Sequence, residues 1–201
     1  MQRGYPDRAT AEAELKKAGE LNPGKWIDHS YYVARACENI AARCPHLDSE
    51  KAFVLGLLHD IGRRIGFVGQ KHIYAGYDYA LSQGWHEVAR VSLSHSFYFP
   101  DKPDWGTSPY DGAPEEWAFI KKYITSFEFD DYDRLVRLAD ALGCAEGFCI
   151  IEKRVVDVAL RYGEMPGMIE KWRKMFAEKQ YFETYTCCNL YDLLPGIKEN
   201  L

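Results

Sequence analysis

A pair of ionisable residues inside an apolar segment limits how this chain can fold. Residues 52–58, AFVLGLL, are apolar around the whole circumference of a helix, and His59 and Asp60 follow directly. A helix that is apolar on every side belongs at the centre of a domain. Burying an imidazole or a carboxylate there without a partner costs several kcal/mol. The fold must therefore bring partners to His59 and Asp60.

Apolar spacing along the rest of the chain predicts an all-α protein. The spacing is helical nearly everywhere, and no stretch sustains the alternation of a strand. We expect Thr10 to cap the first helix, Asp48 or Ser49 the third, and Asp130 or Asp131 the seventh. The predicted helices cover about residues 10–18, 26–44, 49–60, 71–84, 86–94, 114–124, 131–142, 148–162 and 167–182.

Length and composition predict one globular domain over residues 1–201. Hydrophobic residues make up 47% and charged residues 27% of the chain, and no linker or repeat divides it. The net charge of -5 argues against a nucleic-acid polymer as partner. No apolar stretch is long enough to cross a bilayer, and the first residues lack the apolar core of a signal peptide, so we expect a cytoplasmic protein without a membrane partner.

Four further ionisable residues lie where the helical pattern predicts core: His29, His72, His95 and Asp140. Each alone has a simpler explanation, as a hydrogen-bonded core histidine or a helix cap. Together with the His59 and Asp60 pair they make six groups on five helices, and one cluster of cations would satisfy all of them. The six cysteines include no C-x-x-C motif, so the pattern favours nitrogen and oxygen ligands.

The order of these residues, a histidine, a His-Asp pair and an aspartate, resembles the HD superfamily of metal-dependent phosphohydrolases. The segments 58-LHDIGRR-64 and 21-LNPGKWIDHSYYVARACENIA-41 carry the resemblance. It covers about residues 20–165 and leaves 166–201 as a C-terminal helical extension. It implies an all-helical HD-domain-like bundle with the metal site between its central helices.

Two-metal members of that superfamily, which include bacterial dinucleoside-tetraphosphate hydrolases, carry two more histidines where this chain has His72 and His95. The resemblance thus implies one or two divalent ions, of Fe, Mn, Zn, Ni, Co or Mg. The implied ligands are His29, His59, Asp60 and Asp140 for one ion, and Asp60, His72 and His95 for the second, with Asp60 bridging the two.

The chemistry expected of such a site is hydrolysis of a phosphate ester or anhydride of a nucleotide or another small phosphorylated metabolite. Asp60 and Arg63 are the expected catalytic residues, and Arg63 and Lys71 the expected phosphate contacts, although a solvated run of charge explains the basic residues equally well. Many HD proteins have lysine where this chain has Arg63, and arginine keeps the charge but cannot transfer a proton near neutral pH.

Several alternatives stay open. The irregular segment 97–114 could close over the site and stack Phe97, Tyr98, Trp105 or Tyr110 on a base, or be an ordinary surface loop. The polar face of the eighth helix, with Arg154 and Arg161, could border the site or face solvent. An HD-type di-iron oxygenase and a metal-stabilised regulatory protein without turnover are the alternative functions, and the sequence leaves a homodimer open.

Overall fold

The computed structural model, which describes residues 3–105, 108–126 and 128–200, is mostly helical and confirms the predicted all-α class. Almost all of its regular structure is in α-helices, and most connections are short, apart from the long irregular segment between residues 94 and 114. The α-helices of the described residues are α1 Arg8–Leu21, α2 Trp26–Ala41, α3 Ser49–Leu58, α4 Lys71–Ser82, α5 His86–Ser94, α6 Pro114–Thr125, α7 Asp131–Leu142, α8 Ile151–Tyr162 and α9 Met168–Thr186.

The apolar helix α3 lies at the centre, as its composition predicts. The carboxylate of Asp48 caps it by accepting the N–H of Lys51 at 3.0 Å, and residues 52–58 are all buried. It packs against α1, α2, α5 and α7. A Cβ on Gly56 would lie 3.0 Å from the Ala34 Cα, so glycine permits the close approach of α2 to α3. The centre of the bundle is therefore set by the residues that precede His59 and Asp60.

The predicted first residues of two helices are wrong. The first helix begins at Arg8, and its cap is Asp7, whose carboxylate accepts the N–H of Thr10 at 2.8 Å. The eighth helix begins at Ile151 and not at Phe148. A two-stranded antiparallel hairpin, β1 Gly143–Cys144 and β2 Gly147–Phe148, precedes it. The positive φ of Gly147, 141°, is incompatible with a helix and turns the chain between the strands.

The four aromatic residues considered for stacking all contact other side chains of the protein; Phe97 and Tyr98 are buried, while Trp105, which packs on Phe99, and Tyr110 are partly exposed. Phe97 is buried, and both Phe97 and Tyr110 stack on Trp117 of α6, with ring centres 6.2 and 5.4 Å apart. Tyr98 is also buried and donates a hydrogen bond to the Arg137 carbonyl. Phe97 and Tyr110 therefore serve the core and do not offer a stacking surface. Gly106 and Thr107 of this segment lie outside the described residues.

The C-terminal extension packs on the same hydrophobic core. Met175, Phe182 and Leu190 belong to the buried cluster that includes α2, α3 and α7. Arg137 of α7 and Glu178 of α9 form a buried ion pair between the extension and the bundle. Only 2% of Arg137 and 6% of Glu178 is exposed. This ion pair ties α9 to α7. No helix among the described residues combines the length and apolarity needed to span a bilayer.

Removing Glu178 should strongly destabilise the protein, because it leaves the Arg137 guanidinium buried without its carboxylate. We expect Glu178→Leu to lower the free energy of unfolding by about 3–5 kcal/mol, and the double variant Arg137→Met/Glu178→Leu to recover most of that loss. Urea denaturation measures both. The exposed pair Arg161–Asp157 supplies the control, since Asp157→Ala should cost less than about 0.5 kcal/mol. Equal effects of Glu178→Leu and Asp157→Ala would contradict this account.

Candidate metal centre

The structure brings all six predicted metal ligands together from five parts of the fold. Four of them are buried, and His29 and Asp140 are partly exposed. The residues and their positions are His29 in α2, His59 and Asp60 at the end of α3, His72 in α4, His95 at the end of α5, and Asp140 in α7.

The ligand atoms form two neighbouring groups. In the first, Oδ1 of Asp140 lies 3.0 Å from Nε2 of His29 and 3.9 Å from Nε2 of His59. In the second, Oδ1 of Asp60 lies 3.0 Å from Nε2 of His72 and 3.6 Å from Nε2 of His95. The His59 Nε2 atom is also 3.9 Å from Oδ2 of Asp60, so this adjacent pair connects the two groups.

Backbone carbonyl groups orient all four imidazoles. A carbonyl only accepts hydrogen bonds, so each Nδ1 carries a proton and each Nε2 is directed at the cluster. This is the arrangement found in metal-binding histidines, where the second nitrogen donates to a carbonyl or carboxylate. The acceptors are Gly143 for His29 at 2.9 Å, Gly56 for His59 at 2.7 Å, Gly69 for His72 at 2.5 Å and Val91 for His95 at 3.1 Å.

Two buried atoms in the cluster are left without a hydrogen bond. Among the described residues, nothing donates to Oδ1 of Asp60 or makes a hydrogen bond with Nε2 of His59. Leaving such atoms unsatisfied in a buried site is costly. Both atoms are electron-pair donors directed at the centre of the cluster, and neutral imidazoles with carboxylates are ligands for divalent first-row metals. The residues present therefore fit a divalent cation.

The pKa values of His59, His95 and the two carboxyl groups favour the forms that bind metals, whereas for His29 burial lowers the pKa but the contact with Asp140 outweighs burial and raises it. Burial lowers the pKa of His59, and burial together with the nearby His59 lowers that of His95 to about 3, so both rings are neutral. Burial opposes ionisation of the two carboxyl groups. The charge of Arg63 nevertheless holds the pKa of Asp60 well below its usual value, and the contact with His29 lowers that of Asp140.

Gly62 brings α4 close to the His59 and Asp60 pair. Gly62 lies in a short 3₁₀ helix, Ile61–Ile65, that packs directly on α4. A Cβ on Gly62 would lie 1.9 Å from the His72 carbonyl oxygen. Only glycine fits here, and the contact places His72 beside Asp60.

Asp111 is a residue that the sequence did not reveal. Its carboxylate accepts the N–H groups of Gly69 and Lys71, both at 2.6 Å, across 40 or more positions of the chain. Gly69 in turn supplies the carbonyl that orients His72. Although burial acts in the opposite direction, the two N–H groups lower the pKa of Asp111. An aspartate in an irregular loop gives no periodic signal, so only the tertiary contact identifies it.

The two predicted phosphate contacts differ in their placement. Arg63 lines the cleft that leads to the cluster, and its Nε donates to Oδ2 of Asp60. Lys71, in the first turn of α4, does not line this cleft within the described part of the chain. Of these two residues, only Arg63 is therefore placed to contact a phosphate in the cleft.

The cluster opens into a cleft of about 720 Å³. Five of the six ligand residues line it; His59 lies behind them. Helices α8 and α9 form the opposite wall. Arg154 and Arg161, on the polar face of α8, line the cleft and thus border the cluster.

Divalent cations should stabilise the folded protein, because the cluster exists only in the native state. At a free Mn²⁺ concentration one hundred times the dissociation constant, we expect a gain of about 2.7 kcal/mol in the free energy of unfolding. Thermal melts with Mn²⁺ and with EDTA measure this gain. Asp60→Asn should lose most of it, and Asp78→Asn, on the exposed face of α4, should keep it. A melting temperature indifferent to Mn²⁺ in the unaltered protein would contradict the assignment of the cluster.

A comparison with known protein families identifies the family of the region that carries the cluster. A model of the HD domain matches residues 26–143, more than half of the chain, and all six clustered residues lie within that range. Comparisons with curated proteins and with solved structures gave no match. The HD domain is the helical fold of a superfamily of metal-dependent phosphohydrolases that bind divalent metals. The chain belongs to the HD domain family.

Proposed function

We propose that this protein is a two-metal phosphohydrolase that cleaves a phosphate ester or anhydride of a nucleotide or another small phosphorylated metabolite. The observation that carries the proposal is the assembly of four oriented imidazoles and two carboxylates into two adjoining groups at an open cleft. The adjacent residues His59 and Asp60 connect the two groups, which supports a pair of neighbouring ions.

In this proposal the clustered residues hold the cations, and Asp60 also orients the attacking water. Divalent cations held there supply charge neutralisation at a phosphoryl group and acidify water near neutral pH. Asp60 uses Oδ1 towards His72 and His95 and Oδ2 towards Arg63, so both of its oxygens have a fixed direction. This fixed carboxylate would orient the attacking water.

Arg63 is suited to hold a phosphoryl oxygen. Its guanidinium lines the cleft while its Nε contacts Asp60, so the side chain is already directed at the cluster. The planar guanidinium offers further N–H donors that match phosphate oxygens, and it stays charged at all physiological pH values. We assign Arg63 to stabilising charge on the phosphoryl group and not to transferring a proton.

The open cleft favours an enzyme over a purely structural metal site. Structural sites usually close the coordination sphere with protein ligands, whereas catalytic sites keep an open position. Here Asp60, His72 and His95 from one ligand group, and His29 and Asp140 from the other, all face the cleft. A small substrate could therefore reach both groups at once.

The test is hydrolysis of a panel of nucleotides and sugar phosphates by the Mn²⁺-loaded protein, with and without oxygen. We expect Asp60→Asn to reduce kcat/KM at least about a hundredfold, and Arg63→Met to reduce it by about ten- to a hundredfold while the metal content stays unchanged. Arg63→Lys should retain part of the activity, and Asp78→Asn all of it. Full activity in Asp60→Asn, or turnover that requires oxygen, would contradict the proposal.

A further inference from the structure

Two cysteines of the hairpin that precedes α8 lie against each other at the edge of the cleft. Cys144 belongs to β1 and Cys149 directly follows β2, and their Sγ atoms are 2.8 Å apart. Cys144 is partly exposed and lines the cleft, whereas Cys149 is buried, with its Sγ 3.8 Å from the Ala141 carbonyl oxygen. A reagent that enters the cleft therefore reaches Cys144 before Cys149.

The backbone of the hairpin holds both thiols on one face. Cys144 pairs with Gly147 across the hairpin, and the N–H of Cys149 donates to the Leu142 carbonyl at 2.9 Å. Because side chains alternate along paired strands, positions 144, 147 and 149 share a face. A disulfide requires about 2 Å between the sulfur atoms, so a small movement of the two side chains would join them.

The position of the pair in the chain separates it from the metal ligands. The HD-domain match ends at residue 143, so both thiols lie beyond it. Gly143, the residue before Cys144, supplies the carbonyl that orients His29 at 2.9 Å. The hairpin thus adjoins the metal cluster, and its two thiols have no role in the proposed hydrolysis.

The two thiols differ in the ease with which they ionise. The hydrogen bond between them lowers the pKa of Cys144, although burial acts in the opposite direction. The same hydrogen bond raises the pKa of Cys149, and burial raises it further. Thiolates are the nucleophiles of cysteine chemistry. This difference agrees with the exposure of the two residues and makes Cys144 the attacking group.

The other four cysteines have different surroundings. Cys37 and Cys44 are buried in the hydrophobic core, and burial raises the pKa of both. Cys187 is exposed at the end of α9, where its Sγ contacts two backbone carbonyl groups, and Cys188 is its partly exposed neighbour. These four residues provide an internal comparison for the hairpin pair.

We propose that Cys144 and Cys149 form a reversible disulfide when a hydroperoxide enters the cleft. The Cys144 thiolate attacks one peroxide oxygen, so that an S–O bond forms and the O–O bond breaks. The second oxygen leaves and takes up a proton as water or an alcohol. The Cys149 thiol then attacks the Cys144 sulfur, the S–O bond breaks, and the hydroxyl leaves with the Cys149 proton as water. The thiol pair loses two electrons, and the hydroperoxide gains them.

Mapping of the thiols by mass spectrometry tests the proposal on the unaltered protein. The Mn²⁺-loaded protein is treated with one equivalent of hydrogen peroxide, unfolded and blocked with N-ethylmaleimide, and trypsin then releases both cysteines in one peptide, residues 138–153. We expect this peptide to lose two hydrogen atoms and to remain unblocked. The loss should be at least about tenfold faster than oxidation of Cys187 or Cys188, and dithiothreitol should reverse it.

Single substitutions test the two roles. In Cys149→Ser, which lacks the second thiol, dimedone should trap a sulfenic acid on Cys144. In Cys144→Ser, the Cys149 thiol should stay reduced after peroxide treatment. The double variant Cys187→Ser/Cys188→Ser is the matched control, and its hairpin disulfide should form at an unchanged rate.

The result on the unaltered protein decides the proposal, so the test does not depend on the folding of a variant. Two blocked thiols in the peptide 138–153 after peroxide treatment would overturn the proposal. A disulfide from Cys144 or Cys149 to Cys187 or Cys188, or oxidation of the hairpin pair no faster than that of Cys187, would overturn it as well.

Discussion

Compensation of the buried His59 and Asp60 pair organises the centre of this protein. The pair lies at the end of the most apolar helix, and α2, α4, α5 and α7 each bring one ionisable residue towards it. Each imidazole is held by a backbone carbonyl, so the packing of the helices also fixes the direction of the Nε2 lone pairs. Such a site needs little rearrangement to accept a cation, which reduces the cost of binding. The close contact at Gly62 and the carboxylate of Asp111 both serve the placement of His72.

The sequence predicts that these six residues come together, because ionisable residues on apolar helix faces conflict with their surroundings and a shared partner resolves the conflict; the fold does bring them together. The predicted cap of α3, Asp48, is confirmed, whereas α1 is capped by Asp7 and not by Thr10. The hairpin before α8 was missed because it contains only two residues per strand and depends on a single glycine conformation. The packing of Phe97 on Trp117 and the role of Asp111 depend on contacts between distant segments, which periodicity does not encode.

The region matched by the HD domain and the C-terminal helices share one core and line one cleft. The region matched by the HD domain holds the cluster, while α8 and α9 close the cleft with basic and apolar side chains. The buried ion pair between Arg137 and Glu178 joins the helix of Asp140 to the helix of Lys171. The part of the chain beyond the family match therefore packs directly on the part that carries the cluster.

Elemental analysis of protein purified without chelator or added metal tests the two-metal assignment most directly. We predict about two divalent ions per chain, and about one in His72→Ala and in His95→Ala, because these histidines belong to only one of the two ligand groups. His46→Ala should retain both ions, since His46 lies outside the cluster and contacts Asp131. A single ion per chain that survives loss of His72 and of His95 would contradict the assignment.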